Sequence, residues 1–364
     1  MLGFRHPAIH SIVTEVNTTD PFLSPEPLSI CVRPLQIPEL AAVLTETLAR
    51  LSPARLSIVS DQLRAILNSD RPTDLIVRFA AQDDVSLDRG VVAIAALPEQ
   101  GDTATILHVD WTKPSEWAAS VRVNESLTIA ERSADGLREK LLALFATHQI
   151  KFVQWATDPV SQAENMIDIP WWPRHMGFAQ VGTLDYLAID ADESTGNFGG
   201  TVSEPVPPIT LETVAQADAA QRERFERLVT ETYRGSLDCP SLESYRTTDE
   251  IIQSYRCVSS YAPDLWFTVH VDDSEPVGCF MLARHRNSQN DELVLELVYM
   301  GVVPQHRGHG LGRRIMDQIA RIGHDQNAVR LVLAVDRDNH PAQDAYRRFG
   351  MKPLFQETVW AASI

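Results

Sequence analysis

The sequence predicts an α/β protein made of two tandem halves that share one mixed-sheet plan. Three observations predict it. Residues 190–208, DADESTGNFGGTVSEPVPP, are rich in Asp, Ser, Gly and Pro and carry no apolar periodicity, so they read as a linker between halves of similar size. The second half parses as alternating strands and helices in the order β-α-α-β-β-β-α-β-α-β. The first half repeats that order with weaker signals, as an internal duplication would. A chain of 364 residues is long for one core and comfortable for two.

The second half is the clearer. Ile209–Val214 is a short strand. Ala219–Tyr233 is helical, with Phe225, Leu228, Val229 and Tyr233 as an apolar stripe. Ser241–Tyr255 reads as a second helix. Leu265–Val271 and Val277–Arg284 are strands joined by a turn-like Asp272-Asp273-Ser274-Glu275, and Glu292–Val302 is a longer strand. Gly310–Gly323 is a helix with Leu311, Ile315 and Ile319 in line. Val329–Val335 is a buried-type strand. Pro341–Phe349 is a helix that Asn339 or His340 would cap, and Thr358–Ala361 is a last strand.

In the first half, Ser29–Arg33 is a strand, and Pro38–Leu51 and Leu56–Asn68 are helical. Asp74–Ala81, Gly90–Leu97 and Thr105–Asp110 are strands. Glu131–His148 is a helix, Lys151–Thr157 a strand, and Arg174–Gly177 ends a helical or turn segment. Two local echoes support the repeat. Val43-Leu44-Thr45-Glu46-Thr47 resembles Leu228-Val229-Thr230-Glu231-Thr232, and Arg174-His175-Met176-Gly177-Phe178 resembles Arg347-Arg348-Phe349-Gly350-Met351. Their spacings differ, so the first half carries an insertion.

Composition removes several function classes. The net charge of −17 argues against nucleic acid as a main partner. No apolar run approaches the ~20 residues of a membrane span, and the N-terminus lacks the pattern of a secretory signal. The four cysteines, Cys31, Cys239, Cys257 and Cys279, are scattered without a CxxC pair, which argues against a zinc site or a disulfide framework. The expectation is a cytoplasmic protein that uses no metal and binds neither nucleic acid nor membrane.

The stretch that carries chemistry is Val302-Val303-Pro304-Gln305-His306-Arg307-Gly308-His309-Gly310-Leu311-Gly312, between a strand and a helix. Alternate glycines let the backbone turn tightly and converge its N–H groups, and the helix adds its own free N–H groups and positive dipole end. Together these suit a pyrophosphate. His306, Arg307, His309, Arg313 and Arg314 form a basic island in an acidic protein. No Lys-Ser/Thr follows the glycines, which excludes a Walker A loop. The position late in a mixed meander disfavours a dinucleotide fold.

Arg307-x-x-Gly310-x-Gly312 after Val302-x-Pro304 resembles motif A of the GNAT acetyltransferase superfamily. Asn339-x-x-Ala342…Tyr346-x-x-Phe349-Gly350-Met351 resembles its second motif, with Met351 where Phe is usual. The resemblance is strong over residues 208–364 and covers residues 27–190 in outline. It implies a fold of two tandem GNAT-like domains: an extension at 1–26, a degenerate copy at 27–190, a linker at 191–207 and a catalytic domain at 208–364. The plan is similar to that of mycothiol synthase-like proteins.

The resemblance also implies roles. Acetyl-CoA would be the co-substrate, its pantetheine arm held by the backbone of Met300, Gly301 and Val302 and its pyrophosphate by Arg307, Gly308, His309, Gly310, Leu311 and Gly312. Asn339 would contact the arm, and Tyr346 would protonate the departing thiolate. Glu296 matches the catalytic glutamate of histone-type members. Strand alternation would put it on one face with Val298, Met300 and Val302, desolvated among apolar neighbours. Each role has a plainer rival: a core tyrosine at 346, a salt-bridged carboxylate at 296, a helix cap at 339. The acceptor would be a small-molecule amine or a protein amine, and the oligomeric state is left open. The rival function is a non-catalytic acyl-CoA-binding regulatory or scaffold protein.

In the first half the loop should follow Trp111-Thr112-Lys113-Pro114, and Ser115–Val121 offers no glycine. That copy is expected to have lost cofactor binding and to complete the substrate cleft or brace the other half. The segment Tyr233–Tyr245, with Arg234 and Asp238, lies where the family places its substrate-facing loop.

Overall fold

The computed structural model describes residues 30–82, 90–99, 101–112, 123–159, 171–192, 198, 208–256, 261–272, 275–286 and 291–364. In the first half these form β1 (Cys31–Pro34), α1 (Ile37–Thr47), α2 (Pro53–Leu67), α3 (Pro72–Leu75), β2 (Ile76–Gln82), β3 (Gly90–Ala96), β4 (Thr103–Thr112), α4 (Val123–Thr147), β5 (Phe152–Thr157), α5 (Trp171–His175) and β6 (Ala179–Asp190). The second half gives β7 (Ile209–Thr213), α6 (Ala219–Tyr233), α7 (Thr248–Arg256), β8 (Trp266–Val271), β9 (Gly278–Arg286), β10 (Leu293–Val302), α8 (Leu311–Asp325), β11 (Arg330–Asp336), α9 (His340–Phe349) and β12 (Lys352–Ser363).

Helix ends follow local chemistry. Asp218 caps α6 by accepting the Gln221 N–H at 2.8 Å while the Gln221 side chain accepts the Asp218 N–H at 2.8 Å. The helix expected over Ser241–Tyr255 is interrupted: a 3₁₀ turn over Pro240–Ser244 comes first, and α7 starts afresh. A reciprocal pair restarts it, with Thr247 N–H donating to Glu250 at 2.8 Å and Glu250 N–H to the Thr247 hydroxyl at 3.3 Å.

Both faces of the sheet are covered, which is why its strands read as apolar runs. In the first half Leu40, Val43, Val59 and Leu63 of α1 and α2 pack with Val92 and Ile94 on one face. Leu137, Leu141 and Phe145 of α4 pack with Val91, Ala93 and Ala95 on the other. In the second half Phe225, Leu228, Val229 and Ile252 meet Trp266, Cys279 and Met281. Ile315, Met316, Ile319, Tyr346 and Phe349 meet Phe280, Leu295, Leu297, Leu331 and Leu333 on the opposite face. Within the expected linker, Phe198 is buried: a Cβ at Gly323 of α8 would come 2.9 Å from its ring.

The two sheets are one. Strand order is β1-β2-β3-β4-β5-β12-β6-β11-β10-β9-β8-β7, so each half lends its last strand to the other. β12 lies between β5 and β6, and β6 between β12 and β11, all antiparallel. The sequence reading did not anticipate β6 and cut β12 to four residues, Thr358–Ala361, whereas it runs for twelve. Register shifts at Leu354 and Val181 break the alternation of the pair, so neither strand shows a clean period of two. A buried ion pair also crosses the halves: Arg55 of α2 donates to Glu357 of β12 at 2.7 Å, and the Tyr186 hydroxyl of β6 donates to the same carboxylate at 2.9 Å.

The halves match residue by residue. Thr103–Ile106 pair in parallel with Phe152–Trp155, as Val294–Leu297 do with Arg330–Leu333. Each of β4 and β10 then bulges at the next residue, Leu107 or Val298. This register sets Asp158 beside the role of Asp336, and both carboxylates take a loop N–H just before a proline. Ser52 N–H donates to Asp158 at 3.1 Å, and Cys239 N–H to Asp336 at 3.1 Å. The echo ending in Gly177 and Gly350 is structural too. Both glycines are left-handed (φ 85° and 108°), and the next N–H reaches back five residues, Phe178 to Pro173 and Met351 to Tyr346. The expected insertion shows in the helix after the bulged strand, 25 residues in α4 against 15 in α8.

Candidate active site

The bulge at Val298 ends the β10–β11 ladder, and from Tyr299 to Val302 β10 pairs only with β9. The strands therefore splay, and the β11-facing backbone of Tyr299–Val302 lines the gap. The bulge also corrects the expected side-chain pattern. Leu293, Leu295 and Leu297 point to the α8/α9 side, and so do Met300 and Val302, whereas Val298 and Tyr299 both point to the α6/α7 side. Glu296 lies between Leu295 and Leu297 and faces α6/α7, opposite Met300 and Val302. It is not sealed among apolar groups: its side chain is a third exposed and pairs with His285 at 2.7 Å.

β10 approaches α6 closely. A Cβ at Gly301 would sit 2.5 Å from Thr232 Cβ and 2.8 Å from the Tyr299 hydroxyl, so only glycine fits there. The Thr232 and Tyr299 hydroxyls are 2.8 Å apart, and Tyr233 stacks on Tyr299 with ring centroids 5.0 Å apart.

Beyond β10, Pro304–His306 make a 3₁₀ turn, and Gly308 and Gly310 take left-handed conformations (φ 80° and 76°) with nothing within 4 Å of where a Cβ would be. Leu311 is buried at the start of α8; Gly308, His309 and Gly310 are exposed. The N–H groups of Gly308, His309, Gly310, Leu311 and Gly312 make no hydrogen bond among the described residues, and the ladder of α8 begins only with Arg314 N–H to Gly310 C=O at 3.4 Å. Five unpaired donors thus sit on an open loop at a helix N-terminus, at the end of the splay.

The Arg307 side chain is not part of that cradle. Its guanidinium donates to three carbonyls, Val302 at 3.0 Å, Gly235 at 3.0 Å and Thr232 at 2.8 Å, and so ties the glycine loop to the C-terminus of α6. Arg313 is likewise turned inward, stacking over Phe349 and donating to the Arg348 carbonyl at 3.1 Å. The basic island is smaller than the sequence suggested, because at least two of its five members are held by the protein.

Asn339 does cap α9, accepting the Ala342 N–H at 3.4 Å. Tyr346 is both a core tyrosine and a candidate acid. It is 7% exposed, its hydroxyl makes no hydrogen bond among the described residues, and burial, helped by the charge of Asp238, holds that hydroxyl well above the usual tyrosine range. In the first half the place of Tyr346 is taken by Pro173, which has no hydroxyl. Where β10 has Gly301 and Val302, β4 has Asp110 and Trp111. Asp110 accepts the Trp111 N–H at 2.7 Å and pairs with Arg50 at 2.7 Å. The expected loss of the first half's glycine loop, Ser115–Val121, lies outside the described residues.

Residues 224–351 match the acetyltransferase (GNAT) family. The match lies within the second half, whose resemblance to that family it supports. A putative [ribosomal protein bS18]-alanine N-acetyltransferase of Bacillus subtilis is 34% identical over 58 residues, a match that spans 16% of this chain and 38% of that relative. Among solved structures, a GCN5-related N-acetyltransferase from Sphaerobacter thermophilus is 13% identical, with 92% of this chain and 95% of that one covered at a TM-score of 0.50; it supports the fold alone. A tandem GNAT protein from the clavulanic acid biosynthesis pathway covers 92% and 98% of the two chains at 12% identity and a TM-score of 0.41, too slight a likeness to bear on this protein. Among the described residues no helix is long and apolar enough to cross a membrane, and no group of His, Cys, Asp and Glu is arranged to hold a metal ion.

Proposed function

We propose that this chain transfers acetyl from acetyl-CoA to a primary amine, with one competent site in the second half. The observation that carries the reading is the set of five unpaired N–H groups from Gly308 to Gly312, opening at the splay between β10 and β11. Such donors favour a pyrophosphate without any need for cationic side chains. The unpaired backbone edge of Met300–Val302 would carry the pantetheine arm, and Asn339 flanks it.

An ammonium has no lone pair, so the acceptor must lose a proton before it attacks. Glu296, held by His285 on the acceptor face, is the proposed base, acting through water. The amine nitrogen then bonds to the acetyl carbon, the carbon–sulfur bond breaks, and the Tyr346 hydroxyl gives its proton to the thiolate. A tyrosine kept protonated by burial and left without a hydrogen-bond partner is suited to that task. The acceptor is a small-molecule or protein amine, and the first half walls its cleft.

Calorimetric titration with acetyl-CoA, with free CoA as control, tests the reading. Saturation at one site per chain is expected. Two sites would restore a live loop to the first half, and no binding at millimolar acetyl-CoA would overturn the proposal.

A further inference from the structure

Helix α9 carries Tyr346, and a polar anchor of that helix comes from the other half of the chain. Gln343 lies one turn before Tyr346 on the same face of α9, and both are buried, at 3% and 7% exposure. The Gln343 amide donates to Asp185 Oδ2 of β6 at 2.9 Å and to the Arg337 carbonyl at 3.0 Å, and it stands 3.3 Å from the Asp336 carbonyl. Its own oxygen accepts from the Arg347 guanidinium. The second oxygen of Asp185 accepts from the Gln356 amide of β12 at 2.7 Å, and the Arg337 guanidinium lies 3.8 Å away. Val335, Asp185 and Gln356 are register partners on β11, β6 and β12, so the anchor is one row across three strands. Asp185 shares its face of β6 with Leu187 and Ile189, which pack in the core that holds Tyr346 and Phe349.

Stability alone does not call for a carboxylate beneath this helix. Replacing a buried polar cluster by apolar groups of similar volume is often neutral or stabilising. What a fully partnered network fixes is geometry, because charge-assisted hydrogen bonds accept only a narrow range of helix rotation and height. Tyr346 depends on that setting. Its hydroxyl makes no hydrogen bond among the described residues, so its place is inherited from α9. The first half lacks the anchor. The eighth residue after the left-handed glycine is Asp185 on β6 and Thr358 on β12. Thr358 shares its face with Trp360, whose core includes Trp172 of α5, and α5 has Pro173 where α9 has Tyr346. The carboxylate thus lies under the helix with the tyrosine, and a threonine under the helix with the proline.

Resting on the transferase reading and its assignment of Tyr346 as the acid, we infer that Asp185 and Gln343 are positioning residues. Through the strand it lends, the first half sets the place of the Tyr346 hydroxyl for acetyl transfer. The pair acts through Tyr346 rather than on substrate. A misplacement of about 1 Å costs on the order of 10²-fold in rate. A helix loosened at Gln343 therefore loses turnover, while the glycine loop, tied to α6 by Arg307, keeps its cofactor affinity.

The test is thiol release from acetyl-CoA with hydroxylamine as a small probe nucleophile, corrected for the reaction without protein. Asp185→Ala and Gln343→Met should each lower kcat at least tenfold with the acetyl-CoA Kd unchanged. Asp185→Asn, which keeps an acceptor for the Gln343 amide, should retain more turnover than Asp185→Ala. In a Tyr346→Phe background neither change should lower kcat further. Wild-type kcat in both variants, or losses that multiply with that of Tyr346→Phe, would reduce the pair to a fold contact and overturn the inference. Gln343→Met keeps a side chain of similar length, so it decides the matter should Asp185→Ala fail to fold. Should the wild-type chain bind acetyl-CoA yet release no thiol, 3-fluorotyrosine installed at position 346 decides by fluorine NMR: a moved or broadened resonance in Gln343→Met supports the inference, and an unmoved one refutes it. Failure of the wild-type chain to bind acetyl-CoA would instead overturn the transferase reading, and this inference with it.

Discussion

Replacing Arg307 with alanine separates two roles for the first residue of the glycine motif, structural tie and phosphate contact. In the structure the guanidinium donates to the Val302, Gly235 and Thr232 carbonyls at 3.0, 3.0 and 2.8 Å. Hydrogen bonds from a charged donor contribute about 1.5–3 kcal/mol each. The Gly235 carbonyl is at the surface and recovers water, so roughly two bonds count, giving a loss of about 3–6 kcal/mol. The α6 C-terminus also loses a cation that complements its dipole. For a unit of this size that corresponds to a fall in Tm on the order of 10 °C. Thermal unfolding with and without acetyl-CoA, together with calorimetry at two salt concentrations, measures both roles. The expected result is a clear loss of stability, a weaker acetyl-CoA affinity, and a salt dependence equal to that of the wild type. Unchanged stability with a flatter salt dependence would show that the side chain contacts phosphate and would refute the tie.

Three further outcomes follow from particular contacts. Tyr346→Phe should lower kcat by about 10²-fold or more and leave the acetyl-CoA Kd unchanged, as removal of a general acid does; wild-type turnover in single-turnover kinetics would remove the assignment. Burial, with the charges of Arg50 and Arg55, pushes buried His108 down to about 3, so it stays neutral in the fold while the unfolded chain gains a proton below pH ~6.5. Stability should therefore fall as pH drops from ~6.5 toward 3, by up to about 1.4 kcal/mol per unit, and His108→Phe should flatten that limb in urea titrations; identical pH slopes would refute the link. Arg55→Met leaves Glu357 buried with only Tyr186 and should cost about 3–5 kcal/mol, most of it recovered in Arg55→Met/Glu357→Leu; strictly additive losses in chemical denaturation would show that the pair does not couple the halves.

Much of the site was legible before the structure. Glycines at 308 and 310 mark left-handed turns whatever surrounds them, and both take that conformation. The Asn339 cap and the Gly350 helix stop are local chemistry, and both are present. The echoes at Thr47/Thr232 and Gly177/Gly350 were traces of the duplication, and the Ser52-Pro53 and Cys239-Pro240 pairs were a third trace that went unread. The side-chain roles were less legible. Alternation predicted the wrong face for Glu296 because one bulged residue, Val298, reverses it, and no local pattern announces a bulge. The basic island looked larger than it is because sequence cannot say whether an arginine points outward or, like Arg307, back into carbonyls.

The sequence by itself determined the periodic elements, the glycine turn at Gly308–Gly310 and the division into two like halves, since each depends on residues close together in the chain. Only the tertiary structure decided that the halves exchange their last strands and that Arg55 and Glu357 meet from 302 residues apart. Strand exchange depends on which edge is free when the sheet closes, and an ion pair across the chain depends on that choice in turn. Local propensity is identical for either pairing, so the decision lies with packing and buried polar satisfaction over the whole sheet.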